Sequence, residues 1–275
     1  MNRFYRRTRR LLTLMLICVI LLSKASAVSS MDGVIGSVPA VLTAMNDPDA
    51  RIAETKLGNV SADAARLSTG ADIAILNGGD FAANLQAGET TMAEVFAVFT
   101  EDRELAMAEV TPRQLREILE NGISRITIDE RERIDRSLSA WDGFPQISGF
   151  EFKYDATLPA GRRVMSITLS TGEELELSDN ETKIRLTATE FMLGGGYGMP
   201  QIEHASATGT TLAGALADYV SAGFPEPKAP ERITVAGTTE NAIISRFPTG
   251  LSFAVILLFA LANGARYRRS FNFER

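Results

Sequence analysis

Two apolar runs near the ends of the chain, Leu11 to Leu22 and Thr249 to Ala265, do most to limit what it can fold into, because only the stretch between them can build a water-facing core. An arginine-rich start (Arg3, Arg6, Arg7, Arg9, Arg10) precedes the first run, and Ala25-Ser-Ala27 follows it, a small-x-small site that suits signal peptidase. Residues 1–27 are therefore predicted to be a signal peptide. An uncleaved anchor is the competing reading, but twelve helical residues rise only about 18 Å against a hydrocarbon core of about 30 Å. The second run has seventeen residues and is followed by Arg266, Arg268 and Arg269. It predicts a transmembrane anchor at 249–265, a basic cytoplasmic tail at 266–275 and a body facing outward.

Pro248-Thr-Gly250 before this run, with bases after it, is similar to a sortase sorting signal but lacks one residue of the Pro-x-Thr-Gly pattern. Attachment to the cell wall is the alternative to a retained anchor. The polar stretch 237–248 reads as a stalk, and residues 31–236 form the body.

Composition narrows the function classes. With 45% hydrophobic and 23% charged residues the chain is neither disordered nor fibrous. Six of the 28 bases and none of the 34 acids lie in residues 1–27, and four bases and one acid lie in 251–275, which leaves 18 bases against 33 acids between. So acidic a body repels phosphate backbones, and nucleic acid is not an expected partner. The single cysteine, Cys18, sits inside the first apolar run, which excludes a disulfide framework and a cysteine nucleophile in the body. One histidine, His204, is too few for an ordinary zinc enzyme, and no serine lies in a Gly-x-Ser-x-Gly setting. His204 reads as a surface or satisfied core residue. No catalytic residue, metal ligand or cofactor is assigned.

Thr111-Pro-Arg-Gln114 supplies a capping threonine, proline at the first helical position and glutamine at the third, ahead of Leu115, Ile118 and Leu119 and a stop at Gly122. Leu57–Leu67 and Thr211–Ala222 also read as helices. Strands are predicted at Asp72–Leu76, Glu104–Val110, Phe150–Tyr154, Val164–Leu169, Ile184–Thr189 and Ile233–Val235, with Ser170-Thr-Gly-Glu173 as a hairpin turn. Interleaving without a strict strand-helix-strand rhythm gives an α+β or mixed α/β layered domain. Asp129 to Arg136 reads as a solvated insertion, and Gly223 to Pro230 as a proline-rich turn.

Two glycine clusters stand out. A strand runs into Asn77-Gly78-Gly79, and Phe191 leads into Gly194-Gly195-Gly196-Tyr197-Gly198. Glycine lets a backbone approach a ligand closely, so both could line a pocket; tight turns at sheet edges are the plainer explanation for either one alone.

Their surroundings add to this. Glu54-Thr-Lys-Leu-Gly-Asn59, Ala62-Asp-Ala64, Ala71 to Gly79, Ala87-Gly88, Glu94-Val-Phe96, Val110-Thr-Pro-Arg-Gln-Leu115, Phe144-Pro-Gln-Ile-Ser-Gly-Phe150, Phe152-Lys-Tyr-Asp155 and Ala188 to Gly198 follow one another at compatible spacing. In this order they resemble the C-terminal, substrate-binding domain of secreted 5'-nucleotidases, over about residues 50 to 236. The resemblance implies a four-layer α/β domain that holds a nucleoside between two phenylalanines and presents it to a metallophosphatase domain. Here it assigns Phe191 as one stacking ring and Phe99 as the candidate for the other, with Asn77, Gly78, Gly79, Gly195, Gly196 and Tyr197 around the ligand.

Three departures accompany it. Val98-Phe99-Thr100-Glu101 replaces the family's Pro-Phe-x-Asn with a short insertion. Tyr197 stands where the family has a ribose-binding acid, and Ala82 stands where it has an arginine expected to meet phosphate. Metal-binding Asp-x-His and Gly-Asn-His motifs are not found in the chain, which argues against catalysis by this chain alone. A nucleoside- or nucleotide-binding module, the substrate half of a split 5'-nucleotidase completed by a separate metallophosphatase, and a non-binding surface protein all follow as readings.

Overall fold

The computed structural model describes residues 31–45, 49–224 and 231–238. The expected signal peptide, anchor and tail, and all but the first residues of the expected stalk, lie outside them. Among the described residues no helix is long and apolar enough to cross a membrane.

The elements in chain order are β1 (Val34–Val38), α1 (Lys56–Thr69), β2 (Ile73–Asn77), a 3-10 turn (Gly78–Asp80), β3 (Gly88–Thr91), α2 (Met92–Val98), β4 (Glu104–Val110), α3 (Pro112–Gly122), α4 (Arg136–Ser139), β5 (Pro145–Ser148), β6 (Phe150–Asp155), β7 (Val164–Leu169), β8 (Ile184–Thr189), α5 (Glu190–Leu193), a second 3-10 turn (Gly196–Gly198), β9 (Ser206–Thr211), α6 (Leu212–Ser221) and β10 (Ile233–Ala236). The main sheet has the order β5-β2-β8-β4-β9, a second sheet the order β10-β6-β7, and β1 pairs with β3. In the main sheet only β2 and β8 run parallel.

Every side chain of β2 is buried. Because neighbouring residues of a strand point to opposite faces, the run Ile73-Ala-Ile-Leu76 feeds two cores. Ile73 and Ile75 join Leu115, Ile118 and Leu119 of α3 and Phe150, Phe152 and Ile167 of the second sheet. Ala74 and Leu76 face Leu57, Val60 and Ala65 of α1 and Leu212 and Leu216 of α6. The fold is thus mixed α/β, as its strand and helix pattern predicts, with helices on one face of the main sheet and α3 with the second sheet on the other.

Capping residues set the helix starts. Thr55, Thr111 and Thr211 each accept a hydrogen bond from the backbone N–H three residues on, at 3.0, 3.2 and 3.1 Å. The hairpin turn after β7 returns as a single bridge, Thr168 to Glu174. The run Asp129–Arg136 is a small, largely exposed loop that leads into α4 at Arg136, closed by a bridge between Ile128 and Ile134 and by the ion pair of Asp129 with Arg133 at 2.7 Å. His204 is exposed.

The motif Glu54 to Asn59 serves the scaffold. Gln146 of β5 is fully buried; its Oε1 accepts from the Thr55 backbone N–H (3.0 Å) and hydroxyl (3.1 Å), and its Nε2 donates to the carbonyls of Ala50 (2.9 Å) and Ala53 (2.8 Å). A Cβ at Gly58 would lie 1.9 Å from that Oε1, so glycine is required for this close approach. Glu54 accepts from Asn59 Nδ2 and from the backbone N–H of Ile233, and Arg232 donates to Asp63 and to the Ile147 carbonyl, which ties β10 to α1 and β5.

Replacing Gln146 by leucine strands two backbone carbonyls, a backbone N–H and a hydroxyl in the core. The expected loss is roughly 2–4 kcal/mol, read as a lower urea midpoint with an unchanged slope.

Candidate functional site

Topology brings four chain segments to one edge of the main sheet. β2 and β8 are parallel, so their carboxyl ends, Asn77 and Thr189, lie on the same side. β4 runs antiparallel to β8 and pairs Leu105 with Thr189, which brings Arg103 to that edge. β5 pairs Pro145 with Asn77, so Trp141 to Phe144 arrive there too. The carboxyl ends of parallel strands are where open α/β sheets take ligands.

The turn after β2 is locked by its neighbours. Gly78 N–H donates to the Phe144 carbonyl at 2.7 Å, Gly79 N–H to the Asp142 carbonyl at 2.8 Å, and Thr100 N–H to the Asp80 carbonyl at 2.9 Å. A Cβ on Gly79 would lie 2.5 Å from Asp142 Cβ and 2.8 Å from the Tyr197 hydroxyl. Gly78 in turn faces the Ala50 carbonyl. The space these two glycines leave is therefore filled by the protein's own loops. Asn77 is fully buried below the turn; its backbone N–H donates to Asp80 Oδ2 at 3.0 Å, and its Nδ2 has no hydrogen-bond partner among the described residues.

Above the turn lies a row of rings and guanidinium groups. Phe191, in α5, is 37% exposed, high for a large apolar side chain. Tyr197 meets it edge-on with ring centroids 4.9 Å apart, and Trp141 meets Tyr197 at 6.0 Å. Arg103 lies over the Phe191 ring at 3.9 Å and Arg125 over Trp141 at 3.8 Å, distances at which a ring's negative face attracts a cation. Gly196 is pressed against the edge of Phe191, where a Cβ would come within 2.3 Å of the ring. Gly195 takes a left-handed conformation, φ 94°, that turns the chain back toward Tyr197.

Phe191, Gly195, Gly196, Tyr197 and Gly79 thus come together, with Asn77 and Gly78 in the floor. Phe99 does not join them. It is 5% exposed and packs against Phe81 at 5.7 Å in the core on the helix face, so the expected second ring has no free face there. Ala82, at the position of the family's arginine, is exposed and has nothing to offer an anion.

Sequence reasoning missed Asp80, Arg103, Trp141 and Asp142. Asp80 and Arg103 carry no motif; the one signal was the chain's single tryptophan. Asp80 is fully buried, with Arg103 Nε 3.6 Å from its Oδ1; Arg103 also pairs with the exposed Glu101 at 3.1 Å. Burial pushes the Asp80 carboxyl up to about 6, against the pull of the Asn77 N–H and Arg103. Burial and the nearby carboxylates of Asp80 and Asp142 raise the Tyr197 hydroxyl. Among the described residues no three His, Cys, Asp or Glu side chains gather into a metal-holding group.

Such a fold, a five-stranded mixed sheet with helices on one face and α3 with a second sheet on the other, is that of a mixed α/β domain. The chain belongs to the 5'-nucleotidase C-terminal domain family, whose model matches residues 34–204. It is 30% identical over 162 residues to the trifunctional nucleotide phosphoesterase YfkN of Bacillus subtilis, covering 57% of this chain and 10% of that protein. Among solved structures, a 5'-nucleotidase precursor from Thermus thermophilus superposes with a TM-score of 0.66 at 26% identity, covering 78% of this chain and 42% of the other. The NAD nucleotidase NadN of Haemophilus influenzae shares the fold, with a TM-score of 0.62 at 16% identity and 78% and 40% coverage. The chain thus spans a tenth of the curated relative and less than half of these solved ones.

Folding disfavours the Asp80 carboxylate, because its value of about 6 lies above the ordinary 3.8. The neutral form costs nothing at low pH. As pH rises from about 4 to about 6 the penalty grows to roughly 3 kcal/mol and then levels. Asp80→Asn should therefore gain stability over the wild type across that window, and urea midpoints of the two proteins between pH 4 and pH 8 check it; a difference that does not vary with pH contradicts it.

Proposed function

We propose that this domain is a nucleoside- or nucleotide-binding module that works outside the cytoplasm, delivered by the signal at 1–27 and held at the membrane by 249–265. The observation that carries the reading is the partly exposed Phe191 ring at the carboxyl end of the parallel pair, at the meeting point of the segments that the family resemblance assigns to the ligand. A purine can stack on such a face for about 1–3 kcal/mol, by analogy with bases on nucleic-acid-binding proteins.

The second ring differs from the family's arrangement. With Phe99 buried, Tyr197 and Trp141 supply the remaining aromatic surface. The Tyr197 hydroxyl and the carboxylate of Asp142, both beside Gly79, are the groups in reach of a sugar. The residues at hand can bind and orient a ring; those described do not assemble a metal-ion site, so no hydrolytic step is derived for them.

A split enzyme is the second reading, favoured by the match of residues 34–204 to the C-terminal domain of 5'-nucleotidases. A separate metallophosphatase would then act on what this domain holds. Adding purified candidate phosphatases and measuring association checks that reading.

Phe191→Ala should weaken AMP binding roughly 5- to 100-fold by calorimetric titration, while its thermal stability changes by less than about 2 kcal/mol, since the ring is already partly in water. A large stability loss with unchanged binding would show instead that Phe191 is a packing residue of a surface protein.

A further inference from the structure

Phe191 is exposed, yet its ring is already in use. Arg103 lies across it at 3.9 Å, on the segment between Phe99 and β4. A guanidinium on the ring and an incoming base compete for the same apolar surface. The guanidinium is also poorly bonded where it sits. Its Nε lies 3.6 Å from Asp80 Oδ1, beyond a good hydrogen bond, and both atoms are buried without a hydrogen-bond partner among the described residues. The closer carboxylate among the described residues is Glu101 at 3.1 Å, whose side chain is 68% exposed to water. Arginine carries five N–H donors in a flat fork, so most of its bonding capacity is unspent.

We infer that Arg103 is the specificity-determining residue of this site: it closes the Phe191 ring to neutral aromatic molecules and opens it to rings that carry an oxyanion, such as a nucleoside monophosphate. This rests on the reading of Phe191 as a stacking ring. A neutral ring that takes the face displaces the cation and gives it nothing in return. A phosphate or carboxylate on the ligand gives the displaced fork a two-pronged partner, stronger than its contact with Glu101. The arginine thereby turns from cover to anion receptor, a part that Ala82 cannot play at the family's own arginine position.

The three carboxylates nearby define which one must yield. Asp142 and Glu101 are exposed and Asp80 is buried, so the ligand's anion replaces Glu101, and Glu101 opposes its entry. Glu101→Gln therefore strengthens AMP binding and leaves adenosine unchanged.

The test is calorimetric titration of the full-length protein with AMP and with adenosine. Wild type should prefer AMP at least tenfold. Arg103→Ala should abolish that preference by weakening AMP and strengthening adenosine at least threefold. Because this variant strands the Asp80 carboxylate, the double variant Asp80→Asn/Arg103→Ala, which removes that charge, is measured beside it and should show the same loss of preference. An AMP preference that survives in both variants, or adenosine binding that weakens in them, overturns the role of Arg103 while leaving the ring as a binding surface. No binding of either ligand by wild type and by both variants, each folded by circular dichroism, overturns the ring reading and this inference together.

Discussion

Burial of β2 on both faces is the constraint on which the rest of the structure depends. A strand whose every side chain is dry needs a hydrophobic partner above and below, and it gets α1 and α6 on one side and α3 with the second sheet on the other. Its neighbours then have no freedom of register. β5 is fixed to it by pairing and by the Gln146 side chain, and β8 lies parallel on its other edge. Since β2 and β8 end together, the loops that leave them, and the loops that enter β4 and β5, have to meet. The site follows from the sheet order.

What meets there is a compact electrostatic arrangement. Asp80 is buried against its preference because the turn needs its Oδ2 to accept from Asn77 N–H. Arg103 supplies the compensating charge and spreads over Phe191, so one guanidinium balances a buried acid and shields an exposed ring. Trp141, Tyr197 and Arg125 continue the row on the far side. In the proposed role of Arg103, stability and ligand selection are joined in the same few side chains, and a change to Arg103 touches both.

Much of the fold could be read in the sequence because its elements carry local signals. The Thr-Pro-x-Gln start of α3, the threonine caps of α1 and α6 and the β-rich runs of β4, β7 and β8 each announce themselves within a few residues. Elements without such signals were not legible. β9 is Ser-Ala-Thr-Gly-Thr-Thr, a polar edge strand with no buried residue, and β5 is a four-residue strand that opens with a proline although it is wholly buried. The site was legible in part. Phe191 and the glycines beside it stand out by type, but Phe99 could not be known to face Phe81, nor Gly79 to be packed under Tyr197, because those contacts join residues distant in the chain. Arg103 and Asp80 carry no motif; their importance comes only from being brought face to face.

The proposed function depends on where a purine ring comes to rest. The most direct measurement is a nuclear Overhauser experiment on the protein with phenylalanine selectively labelled, titrated with AMP, with Phe191 identified by comparison with Phe191→Ala. Cross-peaks between purine protons and the Phe191 ring, accompanied by a shift of the Arg103 guanidinium signals, are the expected result. Purine protons that reach other residues and leave Phe191 and Arg103 unmoved would contradict it.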